Sequence, residues 1–370
     1  MSFFTGSPKG SSYQPVMTAD TTTASYWFNW RVLLCTIWLL MSLVFASYLI
    51  SKYERRGHGD DSEENGSRES EKDPPGMLYE DEVWRPCLKN LHPGWLLGFR
   101  IVAFIVLLLM LILNATVDGP SIFYYYTQWT FTLITIYFAL GSVLSMYGCF
   151  QYHNNIGGSS ILNEKFDEEN GAHGASKRIG SQRFDPEYGA YTGSNRMQPA
   201  HSGGVIAKSL GPIEEPPRKI AGFWYYIFQI IFQMNAGAVM LTDCVFWFII
   251  VPFLALRDYN LNFLIINMHS INAVFLLGET ALNSLRFPWF RIAYFFLWTS
   301  VYVIFQWVVH ACIALWWPYP FLDLENSFSP IWYLSVGLMH IPCYGLFILI
   351  MKAKHTLMLR YFPETYQHSR

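Results

Sequence analysis

The stretch GFRIVAFIVLLLMLILNATV, residues 98–117, decides the fold class of this 370-residue chain. Its only charged residue is Arg100, and the acidic Asp118 follows directly at its end. An α-helix rises 1.5 Å per residue, so about 20 apolar residues cross a hydrocarbon layer roughly 30 Å thick. This stretch therefore predicts a transmembrane helix.

Six further stretches have a similar length and polarity. They run roughly from Arg31 to Ser51, Thr127 to Phe150, Asn235 to Leu256, Leu261 to Asn283, Ile292 to Trp316 and Pro330 to Met351. The whole chain is 52% hydrophobic and only 14% charged, whereas a soluble domain is about 25% charged. We therefore predict an all-α, polytopic membrane helix bundle with about seven transmembrane helices.

Lysine and arginine residues are confined almost entirely to alternate connecting segments. The chain has 25 of these residues, and all but four lie in four segments. The exceptions are Lys9, Arg31, Arg100 and Arg257. The four segments are 52–97, 151–219, 284–291 and 352–370. By the positive-inside rule, the N-terminus is predicted to be outside or lumenal, and the two long loops and the C-terminus cytosolic.

This topology predicts the domain organisation. It places a membrane core over residues 98–351, preceded by a first transmembrane helix over 31–51. Residues 1–30, part of the cytosolic loop 52–97 and the cytosolic loop 151–219 have compositions that bury too little apolar surface to offset chain entropy. We predict that they are disordered, with a cytosolic tail at 352–370. The sequence fits an integral protein of the plasma membrane or of the endoplasmic reticulum and endomembranes.

Two aromatic segments flank these loops. Met77 to Trp95 is predicted to lie on the cytosolic headgroups. The run from Ile220 to Met234 cannot simply be added to the fourth span, because about 37 residues would reach some 55 Å. It is predicted to form an interfacial helix, with a strongly tilted continuous helix as the alternative.

Polar residues inside the spans indicate function, because unpaired polar groups are costly in hydrocarbon and face the bundle interior. At 100° per residue, His269, Asn272, Glu279 and Asn283 share one face of the fifth span. Interhelical hydrogen bonds, worth about 0.6 kcal/mol each, are enough to explain why Asn272 and Asn283 occur in a span. They explain the presence of the titratable His269 and Glu279 less well. Further polar groups in other spans are Asp243, Gln306 and His310. Together these residues predict a polar cavity.

The topology also brings three side chains to similar depths. Thr130 and His269 both lie on spans that run inward, at about 5 to 8 Å and 12 to 15 Å from the outer boundary. His310 approaches the same outer half from the opposite direction. A hydroxyl and two imidazoles are therefore predicted in one leaflet.

Three blocks resemble a known family. They are WTFTLITIYFALGSVL (129–144), INMHSINAVFLLGE (266–279) and VVHACIALWWPYPFLDLE (308–325). Over roughly residues 98–351 the chain is similar to the androgen-induced-gene-like membrane proteins and, more closely, to the rolling-stone-like proteins and their plant relatives. In the first branch an intramembrane threonine and histidine hydrolyse esters of fatty acids with hydroxy fatty acids. The resemblance implies that Thr130 and His269 are the catalytic residues.

This chemistry is consistent with the residue types. A threonine hydroxyl becomes a nucleophile when a neutral histidine takes its proton and later protonates the leaving alcohol. Asn272, Gln306 and His310 are all candidates for the oxyanion stabiliser, and no spacing selects one. The predicted partners are membrane lipids. No cofactor, metal site or nucleic-acid-binding patch is predicted.

Two other functional classes fit the same sequence. One is a non-enzymatic membrane adaptor or organiser that binds protein partners through its cytosolic loops, as the resemblance to the rolling-stone-like branch allows. The other is a transporter with the polar stripe along its path. It ranks last because the sequence shows no inverted repeat and no pair of Gly/Pro-interrupted spans.

Overall fold

In the part of the chain that the structure describes, seven helices are long and apolar enough to cross a membrane. The computed structural model describes residues 19–54, 76–174, 218–253 and 263–367. The spans are Trp30–Tyr53, Pro93–Asp118, Tyr126–Asn154, Phe223–Phe248, Leu264–Leu282, Trp289–Cys312 and Ser329–Tyr361. Within the described ranges the only strand-like pairings are isolated bridges. The predicted all-α class and the count of seven spans are confirmed, as expected for a multi-pass integral membrane protein.

Several predictions of disorder concern residues outside the described ranges, namely those for 1–18, 55–75 and 175–217. The chain divides into a unit of residues 1–150 and 219–370, which contains the spans, and a unit of residues 151–218. The helix that begins at Tyr126 ends at Gly174, well past the end expected at Phe150. Shorter helices cover Ala24–Trp27 and Glu80–Trp84.

Consecutive spans run in opposite directions, so the segments that join them collect at two ends of the bundle. At the end predicted to face outward, the hydroxyl of Thr21 donates to the carbonyl of His310 at 2.7 Å. At the same end, Tyr302 donates to the carbonyl of Tyr124 at 2.8 Å. At the opposite end, Lys354 donates to the carbonyl of Asn283 at 2.5 Å. These contacts tie the connecting segments to the spans at both ends of the bundle.

The segment Met77 to Trp95, which the sequence places at the cytosolic headgroups, packs against the ends of the spans through several buried side chains. Leu78 and Val83 are fully buried. Trp84 lies so close to Gly148 that a Cβ added there would be 2.1 Å from the indole. The backbone of Cys87 donates to the carbonyl of Leu282 at 2.8 Å. The apolar side chains of this segment fill the cleft between the span ends. Their burial there removes apolar surface from water, which stabilises the fold.

The fourth span begins earlier than predicted. Its helix runs Phe223–Val245, so most of the run from Ile220 to Met234 belongs to one continuous helix with the fourth span, as in the alternative prediction, and does not form a separate interfacial helix. Its two glutamines are fully buried, and their amides donate to the carbonyl of Arg286, Gln229 at 3.0 Å and Gln233 at 3.4 Å. Asp243 consequently lies near the end of this span, whereas the predicted bounds Asn235 to Leu256 place it near the middle.

A close helix crossing stabilises the centre of the bundle. Gly237 of the fourth span touches the ring of Phe295 of the sixth span, and a Cβ at Gly237 would lie 2.3 Å from its Cδ1. Phe295 is fully buried, so its ring is enclosed by other residues. The glycine is therefore required by contact and not by backbone conformation.

We expect Gly237→Ala to lower the free energy of unfolding by about 1–3 kcal/mol, because one methyl group overpacks this crossing. Thermal unfolding of the purified protein in detergent measures the change. Gly98→Ala is the matched control, since a Cβ at Gly98 meets no atom within 4 Å and alanine favours a helix by up to about 1 kcal/mol. Equal melting temperatures for the two variants would contradict the proposed crossing.

Candidate functional site

A carboxylate and an imidazole from neighbouring spans face each other near the predicted outer end of the bundle. Nδ1 of His269 lies 3.5 Å from Oδ1 of Asp243. The two residues are 9% and 8% exposed, and the amide of Asn272 also interacts with the carboxylate of Asp243. The structure thus joins three of the residues that the sequence singled out.

Both helices that carry this pair are irregular at this level. The fourth span changes to a π-helix over Phe246–Ile250. The fifth span is broken between a helix that ends at Met268 and one that begins at Ile271. Such interruptions are tolerated at membrane depth where protein surrounds them, and π-turns are frequent at functional sites.

Side chains satisfy the backbone groups that the break in the fifth span releases. The carbonyl of His269 accepts a hydrogen bond from the indole of Trp247 at 2.8 Å. The backbone N–H of Ala273 donates to the side-chain oxygen of Asn272 at 2.8 Å instead of joining the helical ladder. The side chains of Trp247 and Asn272 therefore stabilise the interruption on its two sides.

The imidazole is held in a defined orientation. Its ring stacks on Phe246 with centroids 3.8 Å apart and planes 5° apart. Nδ1 points to Asp243 at a distance longer than a normal hydrogen bond, and Oδ2 of Asp243 has no partner among the described side chains. Nε2 makes no hydrogen bond within the described part of the chain. This arrangement resembles the base and its orienting acid in hydrolases, with one ring nitrogen left for proton transfer.

Thr130, the predicted nucleophile, has other partners in this structure. It is fully buried, and its hydroxyl donates to the carbonyl of Tyr126 at 3.1 Å. Tyr126 bonds in turn to Thr299 of the sixth span at 2.8 Å. No hydrogen bond joins Thr130 to His269 in the described ranges. The third span instead meets the fifth through Gln128, whose amide donates to Sδ of Met268 at 3.1 Å.

Glu279 belongs to a separate buried network. Its carboxylate pairs with Arg100 of the second span at 2.5 Å, and both side chains are inaccessible. Tyr137 donates to the same carboxylate at 2.9 Å, and Arg100 donates to Ser145 at 2.5 Å. Arg100 was missed as a functional partner because a charge two residues inside the predicted start of an apolar run resembles a span boundary.

Gln306 and His310 fasten loops at the predicted outer end. The amide of Gln306 donates to the carbonyl of Tyr124 at 2.7 Å. The ring of His310 stacks on Trp317 with centroids 3.7 Å apart. The expected single polar cavity is therefore divided, and only Asp243 and Asn272 accompany His269. In the described ranges, no group of three or more His, Cys, Asp or Glu side chains is placed to hold a metal ion.

Comparison of this chain with known protein families, with curated proteins and with solved structures finds no match.

Proposed function

We propose that this multi-pass membrane protein hydrolyses esters of membrane lipids, with His269 as the general base and Asp243 as the group that orients it. One observation carries the proposal, namely the buried Asp243–His269 pair beside two interrupted helices, with Nε2 unengaged. A base beside an orienting carboxylate, with its second nitrogen open, is the arrangement used for acyl transfer in hydrolases.

In the proposed reaction, the hydroxyl oxygen of Thr130 attacks the ester carbonyl carbon, and Nε2 of His269 takes the hydroxyl proton. The carbon–oxygen bond to the alcohol then breaks, and the imidazolium returns the proton to the leaving oxygen. Water hydrolyses the resulting acyl-threonine by the same two proton transfers. For this, Thr130 exchanges its bond to the carbonyl of Tyr126 for one to His269 when substrate is bound.

The surroundings of the pair favour a substrate from the bilayer. Phe248 and Val274, on the two spans that carry Asp243 and His269, are 72% and 63% exposed on the surface of the bundle. Exposed apolar side chains at this depth face lipid tails in a membrane protein. A lipid ester that diffuses laterally therefore reaches the site without crossing water.

We expect His269→Ala and Thr130→Ala each to lower turnover of a hydroxy-fatty-acid ester by roughly 10²- to 10⁴-fold, because each variant removes a reacting group. Purified protein in detergent and release of the free acid provide the measurement. A fluorophosphonate probe should label the wild type at Thr130 and leave Thr130→Ala unlabelled.

Two variants control for loss of structure. Thr135→Ala removes a buried hydroxyl that donates to the carbonyl of Phe131 at 2.7 Å on the same helix, as Thr130 does to Tyr126. His310→Ala removes an imidazole at the same end of the bundle whose Nδ1 and Nε2 lie 2.7 and 3.3 Å from the carbonyls of Gln306 and Trp316, so that neither nitrogen is left to stabilise an oxyanion. Both should keep their turnover, and equal turnover in the wild type and all four variants would reject the enzyme.

The interrupted helices also favour a second candidate, a proton-coupled carrier. Carriers often bind ions where two helices break beside a charged residue, and here the breaks lie beside Asp243 and His269. This function predicts proton uptake into proteoliposomes that is lost in Asp243→Asn, without ester turnover in the wild type.

A further inference from the structure

A second polar region lies apart from Asp243 and His269. A cavity of about 60 Å³ opens between the first, sixth and seventh spans. Trp38 of the first span, Ser300 of the sixth span and His340 of the seventh span contribute to its wall. Ser300 lies near the middle of the span Trp289–Cys312, so the cavity is within the hydrocarbon layer.

Most polar groups of this wall already have partners. His340 bonds through Nδ1 to the carbonyl of Val336 and through Nε2 to the hydroxyl of Thr299, each at 2.8 Å. Tyr333 accepts from the indole of Trp307 at 2.9 Å and donates to the carbonyl of Leu322 at 3.1 Å. Their hydrogen bonds hold the wall in place and leave little capacity for a ligand.

Ser300 is different. The residue is 3% exposed, and its hydroxyl makes no hydrogen bond with any described residue. On the first span, by contrast, the hydroxyls of Thr36 and Ser42 donate to the carbonyl four residues earlier. A buried hydroxyl that forgoes this bond stays unsatisfied unless another molecule supplies a partner.

The rest of the wall restricts the chemistry of that molecule. No Lys, Arg, Asp or Glu lines the cavity, so a charged headgroup would be buried without a counter-ion. Ordered water typically makes about three hydrogen bonds, and among the described side chains of the wall only the hydroxyl of Ser300 and the indole N–H of Trp38 have no partner. An apolar molecule that carries one neutral oxygen meets both conditions.

We propose that this cavity binds a neutral lipid through a single hydroxyl group, which pairs with Ser300 while the hydrocarbon chain lies against Trp38 and Phe296. The ligand enters from the bilayer between the first span and the two spans behind it. Gly337 leaves room for the chain, because a Cβ added at Gly337 meets no atom within 4 Å.

The experiment uses the full-length protein in proteoliposomes and a photoreactive, alkyne-tagged long-chain alcohol. A matched photoreactive hydrocarbon without the hydroxyl measures labelling by lipid contact alone. We expect the alcohol to label the cavity wall roughly five- to tenfold more than the hydrocarbon, which corresponds to one hydrogen bond. Ser300→Ala should reduce alcohol labelling to the hydrocarbon level.

Gly337→Phe fills the cavity and should abolish the preferential labelling. Gly345→Phe is the matched control, because Gly345 is on the same helix, is equally open around a Cβ and does not line the cavity. Labelling that is equal for both probes, or unchanged in Gly337→Phe, would overturn the proposal. Stronger labelling by an ionised photoreactive fatty acid would also overturn it.

The outcome is independent of ester hydrolysis. No residue of the Asp243–His269 pair lines this cavity, so His269→Ala should retain alcohol labelling whether or not the protein is an enzyme. Loss of labelling in His269→Ala would show that the cavity and the pair form one site, against the separate site proposed here.

Discussion

Glu279→Gln is expected to lower the free energy of unfolding by about 3–5 kcal/mol. Glu279 and Arg100 are both fully buried and lie 2.5 Å apart. A second bond joins Nε of Arg100 to Oε2 of Glu279 at 3.1 Å. The substitution keeps the volume of the side chain and removes its charge, so that the guanidinium remains in the bundle without a counter-ion.

The size of this effect follows from the surroundings of the pair. Arg100 also donates to the carbonyl of Val83 at 2.8 Å and to Ser145, so its position is fixed on several sides. It cannot rotate toward water when the carboxylate is lost. In Glu279→Gln the guanidinium of Arg100 therefore either stays buried without a counter-ion, which costs its full desolvation free energy, or forces the helices around it apart.

Thermal unfolding in detergent and the monodisperse fraction on size-exclusion chromatography measure the result. The double variant Arg100→Met with Glu279→Leu removes both charges and should recover much of the lost stability, because apolar replacement of a whole buried pair is often neutral. Thr280→Val is the control, because it removes a buried hydroxyl next to Glu279 without changing any charge. A single variant as stable as the wild type would contradict the role of the pair.

The spans could be predicted from the sequence where an apolar run is both long and bounded by polar loops. That holds for six spans and fails for the fourth, because Gln229 and Gln233 interrupt its first half. Their partners, the carbonyl of Arg286 and the side chains of Arg291 and Tyr344, lie more than 50 residues away. A local hydropathy profile cannot show that a glutamine will find its hydrogen-bond partners in a distant part of the sequence.

Long-range pairing also explains which site residues were found. The polar face of the fifth span was predicted correctly as buried, since periodicity alone defines it. The break of that helix at Ser270 was not predicted, because it depends on Trp247 of another span. Similarly, Arg291 pairs with Glu54 at 2.6 Å and donates to the carbonyl of Gly76 at 3.1 Å. Tertiary partners of this kind require the fold.

Asp243→Asn is expected to lower kcat for the lipid ester by on the order of 10²- to 10⁴-fold, with little change in KM. Asparagine keeps the shape of the side chain, but its amide no longer attracts the imidazolium that forms during proton transfer. It also ceases to select the ring orientation that leaves Nε2 of His269 free. Substrate binding depends on neither effect, so the loss should fall on the chemical step.

Asp243→Glu tests the same idea from the other direction, because it keeps the charge and should retain part of the activity. Asp323→Asn is the matched control, since Asp323 accepts a hydrogen bond from Tyr26 at 3.0 Å in a loop away from the pair. Melting temperatures for all variants separate chemistry from stability. If Asp243→Asn kept its kcat, or lost it only in proportion to its folded fraction, Asp243 would not orient a catalytic base and His269 would be only a buried, stacked side chain.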